Sequence, residues 1–140
     1  MPVPPISHPK KAVILLSGGL DSATVLYWAQ EEGYSCYCLS FDYGQRHRKE
    51  LDCSVQLARI ARCPWEGVSF KLPWKGSALL EAREVIPKNR SFHEMSRGVP
   101  ATYVPARNSI FLSFAVSWAE VIGASVIFIG ANTVDFSGYP

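Results

Sequence analysis

Charge is scarce in this sequence: 19% of its 140 residues are Asp, Glu, Lys or Arg, against roughly 25% in an average soluble domain. That shortfall predicts a surface partly covered by a partner subunit or by further polypeptide. A net charge of +2 and a pI near 8.4 fall short of the clustered basic face and pI above about 9 of nucleic-acid-wrapping domains. Nucleic acid is therefore excluded as the expected partner, and small anionic ligands remain. There is no C-x-x-C pair: Cys36, Cys38, Cys53 and Cys63 fit neither a zinc knuckle nor a thioredoxin-like redox site and read as reduced core thiols. The start lacks the apolar core of a signal peptide, since Met1 to Lys11 holds four prolines. The expectation is a cytoplasmic protein without disulfides.

A transmembrane helix is also excluded. The most apolar stretch, Ser109 to Ala131, runs 23 residues with one charge, Glu120, which is long enough to span a bilayer. Gly123 divides it, however, into a half rich in Ala, Leu, Trp and Phe and a β-branched half, Val126-Ile127-Phe128-Ile129. The pattern predicts a buried helix and then a buried strand. Ser109, Ser113 and Ser117 recur every four residues, a small polar stripe suited to close packing on a sheet.

What is present is one domain's worth of alternating elements. A chain of 15.5 kDa can bury roughly two-thirds of its unfolded surface and has no room for a second core. Residues 1–11 read as a flexible tail and 12–140 as the folded domain. Ala12 to Leu16 is a continuous apolar run, the signature of a strand covered on both faces. A helix follows from about Leu20 to Glu32, with Val25, Leu26 and Ala29 on one face and Gly33 placed to end it. Cys36 to Phe41 is the second strand. A second helix runs from about Gln45 to Arg62, with Cys53, Leu57, Ile60 and Ala61 as its apolar stripe and Pro64 barring continuation. Val68 to Lys71 reads as a short third strand.

From Leu72 to Ala106 little is periodic beyond a helical suggestion near Ser77 to Glu84, and connections that long are usually functional. Asn108 is placed to cap a helix from Ser109 to Ile122, and Val126 to Ile129 is the fourth strand. This β-α-β-α-β-loop-α-β order predicts an α/β, doubly wound parallel sheet with right-handed crossovers. The sequence stops at Pro140, just after a polar segment expected to face ligand at the carboxyl end of that fourth strand. Few domains end there, and four strands leave an edge and a helix face uncovered, so the reading is of a truncated form.

Chemistry concentrates at Ser17-Gly18-Gly19-Leu20-Asp21-Ser22. The segment leaves a buried strand and opens a helix, so its amides and the positive end of the helix dipole converge on one spot, where an anion belongs. Gly18 and Gly19 allow a sharp turn and close approach to phosphate, and Ser17 and Ser22 add hydroxyls. Asp21 carries the wrong charge for a phosphate contact and suits a Mg²⁺ that bridges phosphate oxygens. The pattern is neither a Walker A loop, which needs Lys before its closing Ser or Thr, nor a G-x-G-x-x-G fingerprint. The plainer alternative is a helix start capped by Ser or Asp.

This Ser-Gly-Gly-x-Asp-Ser segment resembles the loop of the pyrophosphatase-loop, or N-type ATP pyrophosphatase, superfamily. The resemblance implies an adenine-nucleotide α-hydrolase-like (Rossmann-like) fold and cleavage of ATP to AMP and pyrophosphate by adenylation of a substrate oxygen. Residues Leu16 to Ser22 would then contact ATP. Three further segments are similar to the 7-cyano-7-deazaguanine synthase family of queuosine precursor biosynthesis: Phe41 to His47, Tyr103 to Asn108, and Asp135 to Pro140. Together they are more specific than the loop alone, and the likeness spans about residues 12 to 140, the amino-terminal part of that family's catalytic domain.

Each segment keeps a second reading. Arg46 and His47 suit phosphate or carboxylate oxygens at the carboxyl end of the second strand, or else begin a solvated helix. Tyr43 belongs to the same segment and is assigned to substrate. Arg107 can neutralise charge on the acyl phosphate, with Asn108 beside it or simply capping. Asp135 can accept from a guanidine-like ring edge, with Ser137, Gly138 and Tyr139 around it and Phe136 or Tyr139 as a stacking face; the same residues also make a plain turn. Lys88, His93 and Glu94 stay unassigned.

The resemblance implies an ATP- and Mg²⁺-dependent ligase that converts 7-carboxy-7-deazaguanine and ammonia to the nitrile, with Asp21 and Arg107 as its catalytic residues. A homodimer is expected from the apolar surface. The family also carries a structural Zn²⁺ held by a cysteine cluster, whose ligands are not in these 140 residues. Rival readings are another adenylating enzyme of the superfamily, for tRNA thiolation or amide transfer, and an inactive nucleotide-binding remnant.

Overall fold

The computed structural model describes residues 1–2, 7–44, 48–74 and 104–131. The expected helix near 77–84, the unassigned Lys88, His93 and Glu94, and the segment 135–140 lie outside them. Seven elements follow in order: β1 (Lys11–Leu15), α1 (Leu20–Glu31), β2 (Ser35–Asp42), α2 (Lys49–Ile60), β3 (Trp65–Ser69), α3 (Arg107–Ile122) and β4 (Val126–Ile129). All strand pairs are parallel, in the order β3-β2-β1-β4. The α/β sheet expected from the sequence is therefore the one observed, with the order turning back at β1.

Burial explains the continuous apolar run of β1: Ala12, Val13 and Ile14 are wholly inaccessible, because helices cover both faces of the sheet. On one face Ile14, Leu16, Cys36 and Cys38 meet Leu26 and Ala29 of α1 and Ala58 of α2. On the other, Val13, Leu39 and Phe41 meet Ala115 and Ala119 of α3. Gly33, in the left-handed region at φ 88, ends α1 as expected, with the Tyr34 amide donating to the Ala29 carbonyl at 3.0 Å. At the far end of the sheet Lys11 Nζ donates to the carbonyl of Ile122, the last residue of α3, at 2.9 Å.

Four expectations about the elements need correction. First, β3 begins at Trp65 rather than Val68, because the Cys38 amide donates to the Pro64 carbonyl at 2.8 Å and the ladder starts there. Second, α2 presents Ser54 and Ala58 to the sheet. In the expected stripe, Leu57 and Ala61 are half-buried, while Cys53 and Ile60 are exposed; small side chains let this helix approach closely. Its described part begins at Lys49.

Third, Asn108 does not cap α3. The turn from Val104 sets the helix going earlier, with the Arg107 amide donating to Val104 and the Ile110 amide to Ala106. The cap is Ala106, left-handed at φ 54, with no side-chain capping bond. Fourth, Ser109, Ser113 and Ser117 face outward, and Ser113 Oγ returns to the Ser109 carbonyl at 2.8 Å. Ala115 and Ala119, nearly opposite on the helix, supply the small contact face instead.

Three of the four cysteines are buried or half-buried, whereas Cys53 is exposed, which corrects its reading as a core thiol; none is disulfide-bonded. Burial first, and then the nearby Cys63, push the Cys36 thiol up from 9.0 to about 11. Burial likewise raises Cys38 and Cys63. Among the described residues no helix is long and apolar enough to cross a membrane.

Candidate functional site

At the carboxyl end of β1 the chain must pass from a buried strand into α1 within four residues, Leu16 to Gly19. Gly18 does this at φ 93, and its bare α-carbon lies against the first turn of α2. A β-carbon there would sit on the Glu50 carbonyl oxygen and 3.1 Å from the Ser54 amide nitrogen. Gly19 is the helix cap, extended at φ −83 and ψ 171, so the plainer alternative of a Ser or Asp cap does not hold.

The two serines close the loop on itself. Ser22 Oγ donates to the Gly19 carbonyl at 3.1 Å and accepts the Ser17 amide at 3.1 Å, with Ser17 Oγ 3.0 Å away. Ser17 Oγ in turn accepts the Gly19 amide at 3.2 Å. The first helical bond runs from the Ala23 amide to Gly19, so the amides of Leu20, Asp21 and Ser22 have no intrahelical acceptor, as at any helix start. Those three donors and the helix dipole face one place, which suits a phosphate group. Asp21 stands exposed in the first turn, a hard oxygen donor suited to a divalent cation.

Gly130, just after β4, closes the far side. A β-carbon on it would come 2.8 Å from the Ser22 amide nitrogen and 2.9 Å from the Asp21 carbonyl carbon. Glycine therefore lets the end of β4 touch the mouth of α1, at the point where the strand order reverses and open α/β sheets bind ligands.

Here lies a cleft of about 320 Å³. Of the residues singled out in the sequence, Leu16, Ser17, Ser22, Tyr43, Arg107 and Asn108 line it. Gly18, Gly19, Leu20 and Asp21 belong to the adjoining loop and helix start. Arg46 and His47, and Asp135, Ser137, Gly138 and Tyr139, lie outside the described residues. Within the Phe41 to His47 segment, Asp42 is held by Arg48, whose guanidinium lies 2.7 Å from Oδ2. Next to it, Tyr43 stacks on Phe70 with centroids 6.1 Å apart.

Several lining residues had not been singled out: Ser40, Glu50, Leu51, Phe111, Leu112 and Gly130 among them. Phe111 follows Arg107 by four residues, one helical turn, and its ring lies flat on Phe41 at 4.1 Å with an interplanar angle of 2°. That spacing was a usable signal. Glu50, Leu51 and Gly130 come to the cleft through strand order, which no local pattern discloses. Among the described residues no group of three His, Cys, Asp or Glu could hold a metal.

Comparison with known proteins adds a family. A family model described as queuosine biosynthesis protein QueC matches residues 11–140. A 7-cyano-7-deazaguanine synthase from Cyanothece sp. is 54% identical over 132 residues, covering 93% of this chain and 58% of that protein. Its namesake in Pseudomonas syringae pv. tomato is 54% identical over 133 residues, covering 94% of this chain and 57% of the relative. The chain thus spans under two-thirds of the length of the curated relatives it matches. A crystal structure titled as a predicted subunit of tRNA methyltransferase from Methanocaldococcus jannaschii superposes with a TM-score of 0.45 at 12% identity. It covers 93% of this chain and 58% of that one, a likeness too remote to build on.

Proposed function

Because the chain belongs to the QueC family of queuosine biosynthesis, we propose that it forms the ATP-binding part of an enzyme converting 7-carboxy-7-deazaguanine and ammonia to 7-cyano-7-deazaguanine. The observation that carries this reading is the Ser17 to Ser22 loop at the mouth of a cleft, in a chain 54% identical to proteins named for that synthase.

The chemistry follows from the substrate. A carboxylate resists ammonia until one oxygen becomes a good leaving group. Its oxygen attacks the α-phosphorus of ATP, forming an acyl adenylate and releasing pyrophosphate; ammonia displaces AMP and leaves the amide. The amide oxygen attacks a second ATP in the same way. Loss of both protons from nitrogen and departure of AMP then give the nitrile. For these steps the protein chiefly needs positioning and charge neutralisation.

The chain's own groups have matching roles in this proposal. The amides of Leu20, Asp21 and Ser22 bind the pyrophosphate oxygens, with Leu16 to Gly19 shaping their approach. Arg107 balances charge on the adenylated oxygen, and Asn108 and Tyr43 border the ring of the deazapurine. Arg46 and His47 are assigned to ATP, and Asp135, Ser137, Gly138 and Tyr139 to substrate. Asp21 would hold Mg²⁺, which lowers the charge on the phosphates when bound. The described residues do not fit a structural zinc site, and none of these steps uses one. We further propose a cytoplasmic homodimer, supported by apolar side chains left exposed on α3, such as Val116 and Val121.

The test is pyrophosphate release with ATP, Mg²⁺ and ammonium in the presence of candidate acids. Release that depends on 7-carboxy-7-deazaguanine is the expected result. Release driven by a different acceptor would assign the protein to another adenylating reaction, and tight ATP binding with no turnover would make it a nucleotide-binding remnant.

A further inference from the structure

Behind the phosphate-binding loop, on the α1/α2 face of the sheet, two buried hydroxyls and an indole form a small polar knot in an otherwise apolar layer. Ser40 of β2 is 2% exposed and Ser54 of α2 is 0% exposed. Ser40 Oγ lies 2.6 Å from the Leu16 carbonyl oxygen, and Ser54 Oγ lies 2.7 Å from the Leu51 carbonyl oxygen. The two hydroxyl oxygens are 3.0 Å apart. Trp65 Nε1 lies 2.9 Å from Ser40 Oγ and 3.2 Å from Ser54 Oγ.

Counting protons decides how the knot works. Each hydroxyl has one proton to give, and each has a carbonyl as its shorter acceptor. With both protons committed there, the two oxygens would face each other lone pair to lone pair. The indole N–H, shared between them, is the proton that makes the contact favourable. Take it away and the contact needs the Ser40 proton, which then turns from the Leu16 carbonyl toward Ser54 Oγ.

Both carbonyls lead into the loop. The Leu16 carbonyl and the Ser17 amide belong to one planar peptide unit. Fixing the oxygen therefore fixes the direction of the N–H that bonds Ser22 Oγ at 3.1 Å. The Leu51 carbonyl belongs to the first turn of α2, whose Glu50 carbonyl bears on Gly18. The indole itself is seated by Gly67, two residues on along β3, where a β-carbon would come 2.5 Å from the Trp65 ring.

We infer that Trp65, acting with Ser40 and Ser54, is a positioning residue for the pyrophosphate loop, setting the Leu16-Ser17 peptide from behind without touching the nucleotide. This inference rests on the reading of the loop as an ATP site. It predicts an effect on nucleotide affinity from a residue three elements away in the chain, on β3.

The experiment measures steady-state kinetics and urea unfolding of the intact protein for wild type, Trp65→Phe, Ser54→Ala and the double variant, Ser54 being fully buried and away from the cleft lining. Trp65→Phe should raise KM for ATP by about fivefold or more, the scale of one net hydrogen bond, while kcat at saturating ATP stays within about twofold. The double variant should be little worse than Ser54→Ala, because both changes break one network. Should Trp65→Phe fail to fold, Ser54→Ala carries the same KM test. An active wild type whose KM for ATP is unmoved by either substitution, even with lowered stability, would overturn the inference and spare the ATP site. A wild type with no affinity for ATP would remove both.

Discussion

The α-carbon of Gly18 rests against the carbonyl oxygen of Glu50, so the Ser17 to Ser22 loop and the first turn of α2 are a single packed unit. Gly18 also sits at φ 93, where any other residue is strained by about 1–2 kcal/mol. Gly18→Ala should therefore lower the urea midpoint and raise KM for ATP at least tenfold. An unchanged midpoint in a correctly folded variant would mean that loop and helix are not in contact.

Gly130→Ala examines the other wall. Its methyl group would press on the Ser22 amide, one of the three donors assigned to phosphate. ATP affinity should fall more than stability does, with about a tenfold rise in Kd by calorimetry against a loss of roughly 1–3 kcal/mol for overpacking. Equal affinity in wild type and variant would count against the α1 mouth as the phosphate site.

Asp21→Asn keeps the size of the side chain and removes its charge. Because the carboxylate is exposed in the first turn of α1, the unfolding midpoint should move little. Turnover should fall on the order of a hundredfold, the scale seen when a preorganised electrostatic partner is lost. Rates that match wild type at every Mg²⁺ concentration would refute its metal role.

The cysteines give a prediction in pH. Cys36 is held as the neutral thiol by burial, with its value pushed from 9.0 to about 11, and Cys38 and Cys63 shift the same way. The unfolded chain therefore loses these protons first as pH rises. Stability from this source is complete below pH 9 and declines between pH 9 and 11, in the direction linkage requires. Urea midpoints across that range should decrease, and a flat profile would contradict it. At pH 8, Cys53 should be alkylated first, with the buried Cys36 and Cys38 following only on unfolding.

Much of this architecture could be read before any coordinates. A parallel strand buried on both faces announces itself as an apolar run, and β1 did so; β4, expected to be buried, lies at the edge of the described sheet with half-buried residues and an exposed Ile129. The turn glycines and the loop motif marked the sharp passage from β1 into α1. Orientation was harder: α2 and α3 each carry large apolar residues around much of their circumference, so composition did not reveal that Ser54, Ala58, Ala115 and Ala119 would face the sheet. Trp65 was missed as the start of β3 because Gly67 interrupts the β-branched pattern there, although that glycine makes room for the indole. The cleft joins residues from both ends of the sequence, and only strand order brings Gly130 beside Ser22.

The tie between Lys11 and Ile122 is one of two fastenings on α3. Its tail is moored to the first strand, and near its head the Phe111 ring lies on Phe41 of β2 at 4.1 Å. Sixteen helical residues reach about 24 Å, and a swing of roughly 5° over that length would carry one end through ~2 Å. Held at both ends, the helix keeps Arg107 at the rim of the cleft that it lines.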